Sequence, residues 1–390
     1  MKSKWEYKTL GNICVSELGK TLNQSKDTGT LRPYLCAINI QWDCLNLQDL
    51  KKARFEDDEL ERYSVQKGDL LVCEGGDVGR AALWESDEPM LYQNALHRIR
   101  FSVGCYPRFY LFCLRHLKNK GVLDSRFAKG VTIKHLVKSS LLSIPVPVPP
   151  LDEQQRIVAE LDLLTEVIDK RRMQLTELDT LAQSIFYDMF GDPTHNEKGW
   201  DMKKLGDLCL VITKGTTPTT LGFPFVEEGI NFVKVESFTN GRIDPLKLAH
   251  ISDECHEALE RSQLKKNDLM ICIAGATIGK MAVVDESILP ANTNQACAIV
   301  RLACEQYIPF IFAYLKMRFV YDVQNMGKGV AQPNLSLGQL RDLNVPLPPQ
   351  ALQQEFADKI QSIEKQKAAV NQSIAETQKL LDYTMDKYFG

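Results

Sequence analysis

Residues 152–190, DEQQRIVAELDLLTEVIDKRRMQLTELDTLAQSIFYDMF, contain neither glycine nor proline. Apolar side chains recur along this stretch at alternating steps of four and three residues, the spacing of a coiled-coil seam. The seam positions are Ile157, Leu161, Leu164, Ile168, Arg171, Leu175, Leu178, Ala182, Ile185 and Met189. At about 1.5 Å per residue the helix would be roughly 58 Å long, which is typical of a spacer. Asp152, which follows two prolines and a leucine, is predicted to cap its first turn.

The same pattern recurs at residues 351–390, shifted by 199 positions. Its seam positions, with three polar interruptions, are Phe356, Ile360, Ile363, Lys367, Val370, Ile374, Thr377, Leu381, Thr384 and Tyr388. We predict that the two helices pair as an antiparallel coiled coil. The alternative is a pair of core helices in one large domain, which their length and their position after each repeat disfavour.

The segments that precede the helices also repeat. Matching anchors, in order along the chain, are residues 5–13 with 200–208, 67–73 with 266–272, 129–131 with 328–330, 144–150 with 344–349, and 190–191 with 389–390. A colinear series of this length indicates two copies of one unit. Short β-type runs within both copies indicate mixed structure, and they lie at 70–73, 230–235, 269–273 and 296–302.

These patterns predict an α+β fold with two mixed α/β domains related by the internal repeat. The predicted segments are a first domain at 1–151, a first long helix at 152–190, a second domain at 191–350 and a second long helix at 351–390. Their net charges are +5, −5, −2 and −1, which together give the −3 of the chain. Charge alone therefore does not indicate nucleic-acid binding, and the acidic first helix favours a protein partner over DNA phosphates.

Composition narrows the class further. There is no run of 18 apolar residues, and the first residues lack the apolar core of a signal peptide, so a cytoplasmic protein is expected. The eleven cysteines include no CxxC pair, and no histidines stand at metal-ligand spacing. We therefore expect reduced, mostly buried thiols and no metal site.

The sequence offers no catalytic motif. The turn at 275–280 has three residues between its glycines and a methionine after its lysine, so a β-hairpin turn fits better than a phosphate loop. The two Pro-Pro pairs lack the Asn/Asp and the aromatic residue of an amino-methyltransferase motif, and no helicase or nuclease arrangement is found. Cys255 and His256 are adjacent, but sequence neighbours rarely face each other.

The plan of mixed domain, proline-rich entry and long helix, given twice, resembles the specificity subunits of Type I restriction-modification systems over essentially the whole chain. The stretch VPVPPLDEQQRI at 146–157 resembles that family's entry into the helix, and LPPQALQQ at 347–354 is a looser second copy. Residues 329–335 resemble the loop that precedes it. The first copy departs at 130–136, which lacks the Gln and Asn, and the second helix entry lacks the acidic pair of the first.

The resemblance implies a non-catalytic subunit in which each domain is a target-recognition domain for one half of a split double-stranded DNA sequence. The paired helices would fix the spacing of the two halves. It also implies two modification subunits, which bind S-adenosylmethionine and methylate adenine, and restriction subunits, which hydrolyse ATP with magnesium and translocate DNA. No cofactor is then expected in this chain.

Three groups of polar residues are candidate DNA contacts, since loops carrying Arg, Lys, Asn, Gln, Ser or Thr read bases and phosphates. The first group lies near the start of each repeat and comprises Lys20, Thr21 and Asn23 with Lys214, Thr216 and Thr217. The second, one cation after each glycine-rich turn, is Arg80 with Lys280. The third, where the repeats diverge after Lys-Gly-Val, is Lys129, Thr132, Lys134 and His135 with Lys328, Gln332 and Asn334.

Two other functions are alternatives. A structural coiled-coil adaptor that does not read DNA would suit the sequence pI of about 6.1. A methyltransferase or nuclease component is the enzyme alternative, disfavoured by the missing motifs.

Overall fold

The computed structural model describes residues 5–23, 25, 27–130, 134–275, 277–325 and 334–390, with the backbone alone at 319–325. The chain forms two compact units: Met1–Met173 with Asn371–Gly390, and Gln174–Val370. Each unit therefore combines one mixed domain with half of each long helix.

The first mixed domain contains twelve strands and two helices among its described residues. The strands are β1 Tyr7–Thr9, β2 Cys14–Leu18, β3 Thr30–Leu35, β4 Ile40–Gln41, β5 Cys44–Leu45, β6 Lys51–Phe55, β7 Ser64–Val65, β8 Leu70–Cys73, β9 Ala81–Leu83, β10 Met90–Tyr92, β11 Leu96–Phe101 and β12 Pro145–Pro147. The helices are α1 Pro107–Asn119 and α2 Lys138–Leu142, and the long helix α3 Leu151–Phe190 follows.

The second mixed domain contains eleven strands within the described ranges. They are β13 Met202–Lys204, β14 Cys209–Lys214, β15 Ile230–Val233, β16 Phe238–Thr239, β17 Arg242–Ile243, β18 Ala249–Ile251, β19 Leu269–Cys272, β20 Met281–Val283, β21 Ala291–Thr293, β22 Cys297–Leu302 and β23 Asn344–Pro346. The helices are α4 Asp253–Ala258, α5 Ile308–Asn325 and α6 Leu337–Asp342, followed by the long helix α7 Gln350–Phe389.

Strand order confirms the predicted internal repeat. The first unit has an antiparallel sheet in the order β2-β11-β8-β9, and the second has β14-β22-β19-β20. A second sheet, β6-β3-β10-β7, has a counterpart in β18-β15-β21, and each contains one parallel pair, β3 with β10 and β15 with β21. The pair β1-β12 corresponds to β13-β23. The four predicted β runs all contain strands, which confirms a mixed α+β fold.

A buried ion pair occupies the same place in both antiparallel sheets. The Asp69 carboxylate, almost fully buried, accepts hydrogen bonds of 2.8 and 2.7 Å from Arg100 across β8 and β11. Asp268 accepts two bonds of 2.7 Å from Arg301 in the second unit. Each aspartate also accepts a backbone N–H, from Gln66 or from Lys265. The aspartate shared by the two Lys-x-Asp-Leu anchors is therefore a structural anchor of the sheet.

The long helices pair in each unit along the predicted seam, whose positions are all buried or half-buried. In the first unit Arg156 donates to the Tyr388 hydroxyl at 3.1 Å, which donates to Glu160 at 2.8 Å. Since 156 and 160 lie near the start of α3 and 388 lies near the end of α7, the helices run antiparallel.

In the second unit the other halves of the helices pack through aromatic rings. The rings of Phe186 and Phe190 lie 5.7 and 5.2 Å from that of Phe356. The polar seam residue Lys367 donates to Asp179 at 2.7 Å and to Glu364 at 3.0 Å. Burial would lower the pKa of Lys367, but these two carboxylates outweigh it and raise the pKa. The polar interruption is thus accommodated by an ion pair within the seam.

The predicted helix cap at Asp152 is wrong. Helix α3 begins at Leu151, so Asp152 lies inside the first turn, where its charge still favours the helix dipole. The entry is fixed instead by Gln154, whose buried side chain donates to the Pro149 carbonyl at 2.8 Å. Gln353 donates to the Pro348 carbonyl at 2.8 Å at the start of α7. A buried glutamine after the Pro-Pro pair therefore defines both helix entries.

The cysteines form no disulfide, and seven of the eleven are buried. Burial raises the pKa of Cys14, Cys113 and Cys297 to about 12. Among the described residues, no cluster of His, Cys, Asp or Glu has the geometry of a metal site, and none of the helices is long and apolar enough to cross a bilayer.

Candidate nucleic-acid interface

The loops at one end of each antiparallel sheet come together. In the first unit this is the end at which β2 finishes and β11 begins, because Leu18 pairs with His97. The hairpin turn from β8 to β9 lies at the same end. We call these loops the loop end of the sheet. In the first unit it comprises turn 19–21, hairpin turn 74–80 and loop 93–95, and in the second unit turn 215–217, the described residues of hairpin turn 273–280, and loop 294–296.

A glycine allows the turn after β2 or β14 to contact the neighbouring loop. A Cβ added at Gly19 would lie 2.3 Å from the Gln93 carbonyl carbon, and one at Gly215 would lie 1.9 Å from the Thr293 carbonyl oxygen. Only glycine permits so close a backbone contact. The bonds are equivalent in the two units: Lys20 N–H donates to the carbonyl of residue 92, and Thr216 N–H to that of residue 293, each at 3.2 Å.

A threonine and a side-chain amide form a hydrogen bond at the same position in both loop ends. Asn94 Nδ2 donates to Thr21 Oγ1 at 3.0 Å, and Thr217 Oγ1 donates to Gln295 Oε1. Thr21 and Gln295 are exposed, while Asn94 and Thr217 are half-exposed. The two repeats therefore present the same kind of polar pair, with different side chains.

An exposed arginine stands next to each pair. Arg62 lines a cleft of about 420 Å³ together with Thr21 and Asn94. Arg261, its equivalent 199 residues later, donates to Thr216 Oγ1 at 3.3 Å. Sequence reasoning missed both arginines and both amides. The signal was the Glu-Arg dipeptide repeated at 61–62 and 260–261, with the same offset as the Lys-x-Asp-Leu anchors.

Members of the first predicted group have different environments. Lys20 is buried, and its ammonium contacts Glu59 at 2.6 Å and Asp27 at 3.6 Å. Burial would lower the pKa of Lys20, but these carboxylates outweigh it and raise the pKa. Its charge is thus neutralised inside the protein. Asn23 accepts from the Ser25 hydroxyl at 2.8 Å, which shapes its own turn, and Lys214 is exposed.

The second group, Arg80 and Lys280, stands at equivalent positions and bonds to equivalent carbonyls. Arg80 donates to the Ala37 carbonyl at 2.8 Å, and Lys280 to that of Val235 at 3.4 Å. Arg80 is half-buried, whereas Lys280 is exposed on a longer bond. Lys280 is therefore the more available cation.

The third group lies beside the hairpin turn in the first unit. Lys129 and His135 form a two-way backbone bridge of 2.8 Å, and both are exposed, as is Lys134, which donates to the Asp124 carbonyl at 2.8 Å. Leu136 N–H donates to the Glu74 carbonyl at 2.7 Å, which joins this segment to the loop end.

In the second unit Leu335 N–H donates to the Ile273 carbonyl at 2.9 Å, the equivalent bond, and Asn334 is exposed next to it. The other members of the group, Thr132, Lys328 and Gln332, lie outside the described residues. The structure thus brings members of all three groups to one end of the sheet in each unit.

One buried titratable group lies under the first loop end. The His97 ring is fully buried, with Nε2 at 2.8 Å from the Leu136 carbonyl oxygen. Burial lowers the pKa of His97, and the Leu136 carbonyl and the Glu74 carboxylate at 4.0 Å offset this only in part.

The Cys255–His256 neighbours do not form a reactive pair, since His256 Nδ1 bonds to Asn292 Oδ1.

Two copies of one loop-bearing domain, each on half of a helix pair, define a modular recognition protein. The model of the Type I restriction modification DNA specificity domain matches residues 2–178 and 197–379. The chain therefore belongs to this family, and its part in a restriction-modification system is DNA recognition and not catalysis.

Relatives named as specificity subunits are similar in sequence, and two solved structures are similar in fold. The chain is 28% identical over 366 residues to the Type I restriction enzyme EcoBI specificity subunit of Escherichia coli, covering 84% of this chain and 74% of that protein. It is 23% identical over 330 residues to the MjaIX specificity subunit of Methanocaldococcus jannaschii, covering 76% and 71%. In fold it resembles a chain from a type I R-M complex, with a TM-score of 0.62, 19% identity and coverage of 99% and 97%. It also resembles the S subunit from M. genitalium, with a TM-score of 0.55, 15% identity and coverage of 100% and 97%.

Proposed function

We propose that each mixed domain reads one half of a bipartite duplex DNA target with its loop end, and that the chain brings modification and restriction subunits to that target. One observation carries the proposal: both loop ends have the same backbone frame but different polar side chains. Asn94 is replaced by Gln295, and the half-buried Arg80 by the exposed Lys280. Where the first unit has the buried Lys20, the second has the half-exposed Thr216. A shared frame with exchanged donors is what two different half-sites require.

The proposed contacts come from the exposed and half-exposed members of the predicted groups. Neutral donors, Thr21 in the first unit and Thr216 and Thr217 in the second, suit base edges. Exposed cations, Lys129 and Lys134 in the first unit and Lys214 and Lys280 in the second, suit phosphates. Lys20 acts through its ion pairs by holding turn 19–21 in place.

The proposed partners and cofactors are those that the resemblance to Type I specificity subunits implies. Two modification subunits would supply S-adenosylmethionine, and restriction subunits would supply ATP hydrolysis with magnesium. The acidic surface of α3 is the proposed docking face for a modification subunit, since its charge of −5 at 152–190 repels phosphates.

The test is equilibrium binding to duplexes with and without the target, by the chain alone and by its complex with the modification subunit. Because the first domain carries a net charge of only +5, the isolated chain is expected to bind weakly. Specific, salt-sensitive binding should appear in the complex. Tight specific binding by the chain alone would contradict the need for partners, and no specific binding by an intact complex would favour the adaptor function.

Two variants, Lys280→Gln and Lys214→Gln, test whether these lysines contact DNA phosphates or only solvent. Each should weaken binding of the complex to all duplexes alike and reduce the slope of log affinity against log salt by about 1. Lys359→Gln is a matched control, because Lys359 is an exposed lysine of helix α7, paired with Glu355 at 3.0 Å and outside the loops of the loop end. An unchanged salt slope in both loop variants would remove these lysines from the interface.

A further inference from the structure

Both loop ends contain an arginine, a threonine and a side-chain amide at equivalent positions. We propose that Asn94 and Gln295 each read one adenine in the major groove of their half-site, and that Arg62 and Arg261 contact the adjacent phosphates. This inference rests on the proposed function and assigns roles to four residues within it.

Amide chemistry points to the base. Asn and Gln bind adenine through two hydrogen bonds, with the side-chain oxygen accepting from N6 and the nitrogen donating to N7. Asn94 uses one N–H for Thr21, and its oxygen accepts from Ala95 N–H at 2.9 Å, so one N–H and one lone pair remain. Within the described part of the chain, Gln295 accepts from Thr217 and its nitrogen donates to no protein group.

The hydrogen bond to threonine pre-orients each amide. A side chain that is already held in one rotamer loses less conformational freedom when it binds. The backbone beneath is fixed as well, since Glu74 N–H donates to the Ala95 carbonyl at 2.9 Å and Ile273 N–H to that of Ala296 at 2.8 Å. Each amide therefore projects from an equivalent hydrogen-bonded backbone in its own unit, and the Gln295 side chain is longer than that of Asn94 by one methylene.

The arginines suit phosphates rather than bases. Arg62 stands over the Tyr63 ring, 5.2 Å from its centre, and its own carbonyl accepts from the buried Arg98 at 3.1 Å. The charges that line the cleft balance, with three carboxylates, Glu17, Asp27 and Glu59, and three cations, Lys20, Arg62 and Lys138. Lys20 is paired with Glu59 and Asp27, and Lys138 lies 3.6 Å from Glu17. Arg62 is thus the cation of this cleft that has no carboxylate partner within the described residues, so it is available to a phosphate oxygen.

The experiment uses the complex with the modification subunit and a duplex library in which every base pair of the wild-type target is varied in turn. Asn94→Ala should lower affinity by about 5- to 150-fold and abolish the preference for adenine at one position of one half-site. The other half-site should be unchanged. Gln295→Ala should do the same in the other half-site only.

Thr21→Val tests whether the hydrogen bond between Asn94 and Thr21 only holds the loop in place, since it breaks the same hydrogen bond as Asn94→Ala. It should weaken binding but keep the adenine preference that Asn94→Ala abolishes, and any change at another position would report the base contact proposed for Thr21. Arg62→Ala should weaken binding to all duplexes equally and lower the salt slope by about 1. The two amide variants are compared by circular dichroism to show that they fold.

Two outcomes would overturn the inference. One is an Asn94→Ala variant that, like Thr21→Val, keeps the adenine preference, which would leave the amide only the role of holding the loop through its hydrogen bond to Thr21. The other is a wild-type half-site in which no position prefers adenine. Either result leaves the proposed function intact, because that fails only if the wild-type complex shows no sequence preference.

Discussion

Replacing Asp268 by asparagine should destabilise the second unit by about 2–4 kcal/mol. The Asp268 side chain is fully buried and accepts three hydrogen bonds of 2.7 Å, two from Arg301 and one from Lys265 N–H. Asparagine keeps one acceptor but turns the other oxygen into a donor that faces N–H groups. Breaking a buried pair costs about 3–5 kcal/mol, and the Arg301 side chain, 21% exposed, regains part of this from water.

Hydrogen exchange measured by mass spectrometry is the appropriate assay, because it reports each unit separately in one sample. Peptides covering β19 and β22 should lose protection, while those covering β8 and β11 should not change. Asp69→Asn is the matched variant: the Arg100 side chain is 43% exposed, so the cost in the first unit should be smaller, about 1–3 kcal/mol. A change below about 0.5 kcal/mol in the second unit would refute the assignment of Asp268 as a sheet anchor.

Three other predictions follow from the packing, the titration and the length of the helices. Phe356→Ala should destabilise the second unit by about 3–5 kcal/mol, since the ring is fully buried, whereas Leu380→Ala on the exposed side of α7 should have little effect in the same exchange assay. His97 has a pKa below its ordinary value of 6.5, so the unfolded state binds protons more readily: thermal stability of the first unit should be full above pH 6.5 and fall as the pH drops below it. Burial also lowers the pKa of His116 in the first unit. His97→Ala, which places there the alanine found at 298, should therefore reduce this dependence without abolishing it, and an unchanged slope would exclude His97 as a source. Inserting seven residues into each long helix lengthens it by about 10.5 Å, so the spacer of the methylated motif should grow by about three base pairs, and an unchanged spacer would show that the helices do not set it.

The long helices and the repeat were predictable because they rest on periodicity. The seam from Ile157 to Met189 depends only on the spacing of apolar residues, and its positions are buried or half-buried as expected. The strands at 70–73 and 269–272 were likewise marked by short apolar runs between turns. Local pattern determines such elements, and tertiary contacts only select which face is buried.

The helix entries and the loop ends depend on contacts that are distant in sequence. Gln154 reads as one more polar residue in a helix, yet it is buried because the Pro149 carbonyl needs a donor. The sequence predicts Lys20 as an exposed cation in a turn, yet it is buried and bonds to Glu59, which lies 39 residues away. Arg62 and Asn94 are distant from Thr21 in sequence and lie beside it because strand pairing brings the three segments together. Composition cannot reveal such partners, whereas comparing the two repeats position by position points to them.

Sequencing of adenine methylation in cells tests the central claim most directly. Cells that express this chain with its modification subunit are compared with cells that carry the modification subunit alone. We expect a new split motif that is methylated only when the chain is present, and that loses one specified base in one half-site in the Asn94→Ala variant. If an intact complex forms and no new motif is methylated, the chain does not act as the DNA-reading subunit, and the adaptor function would take its place.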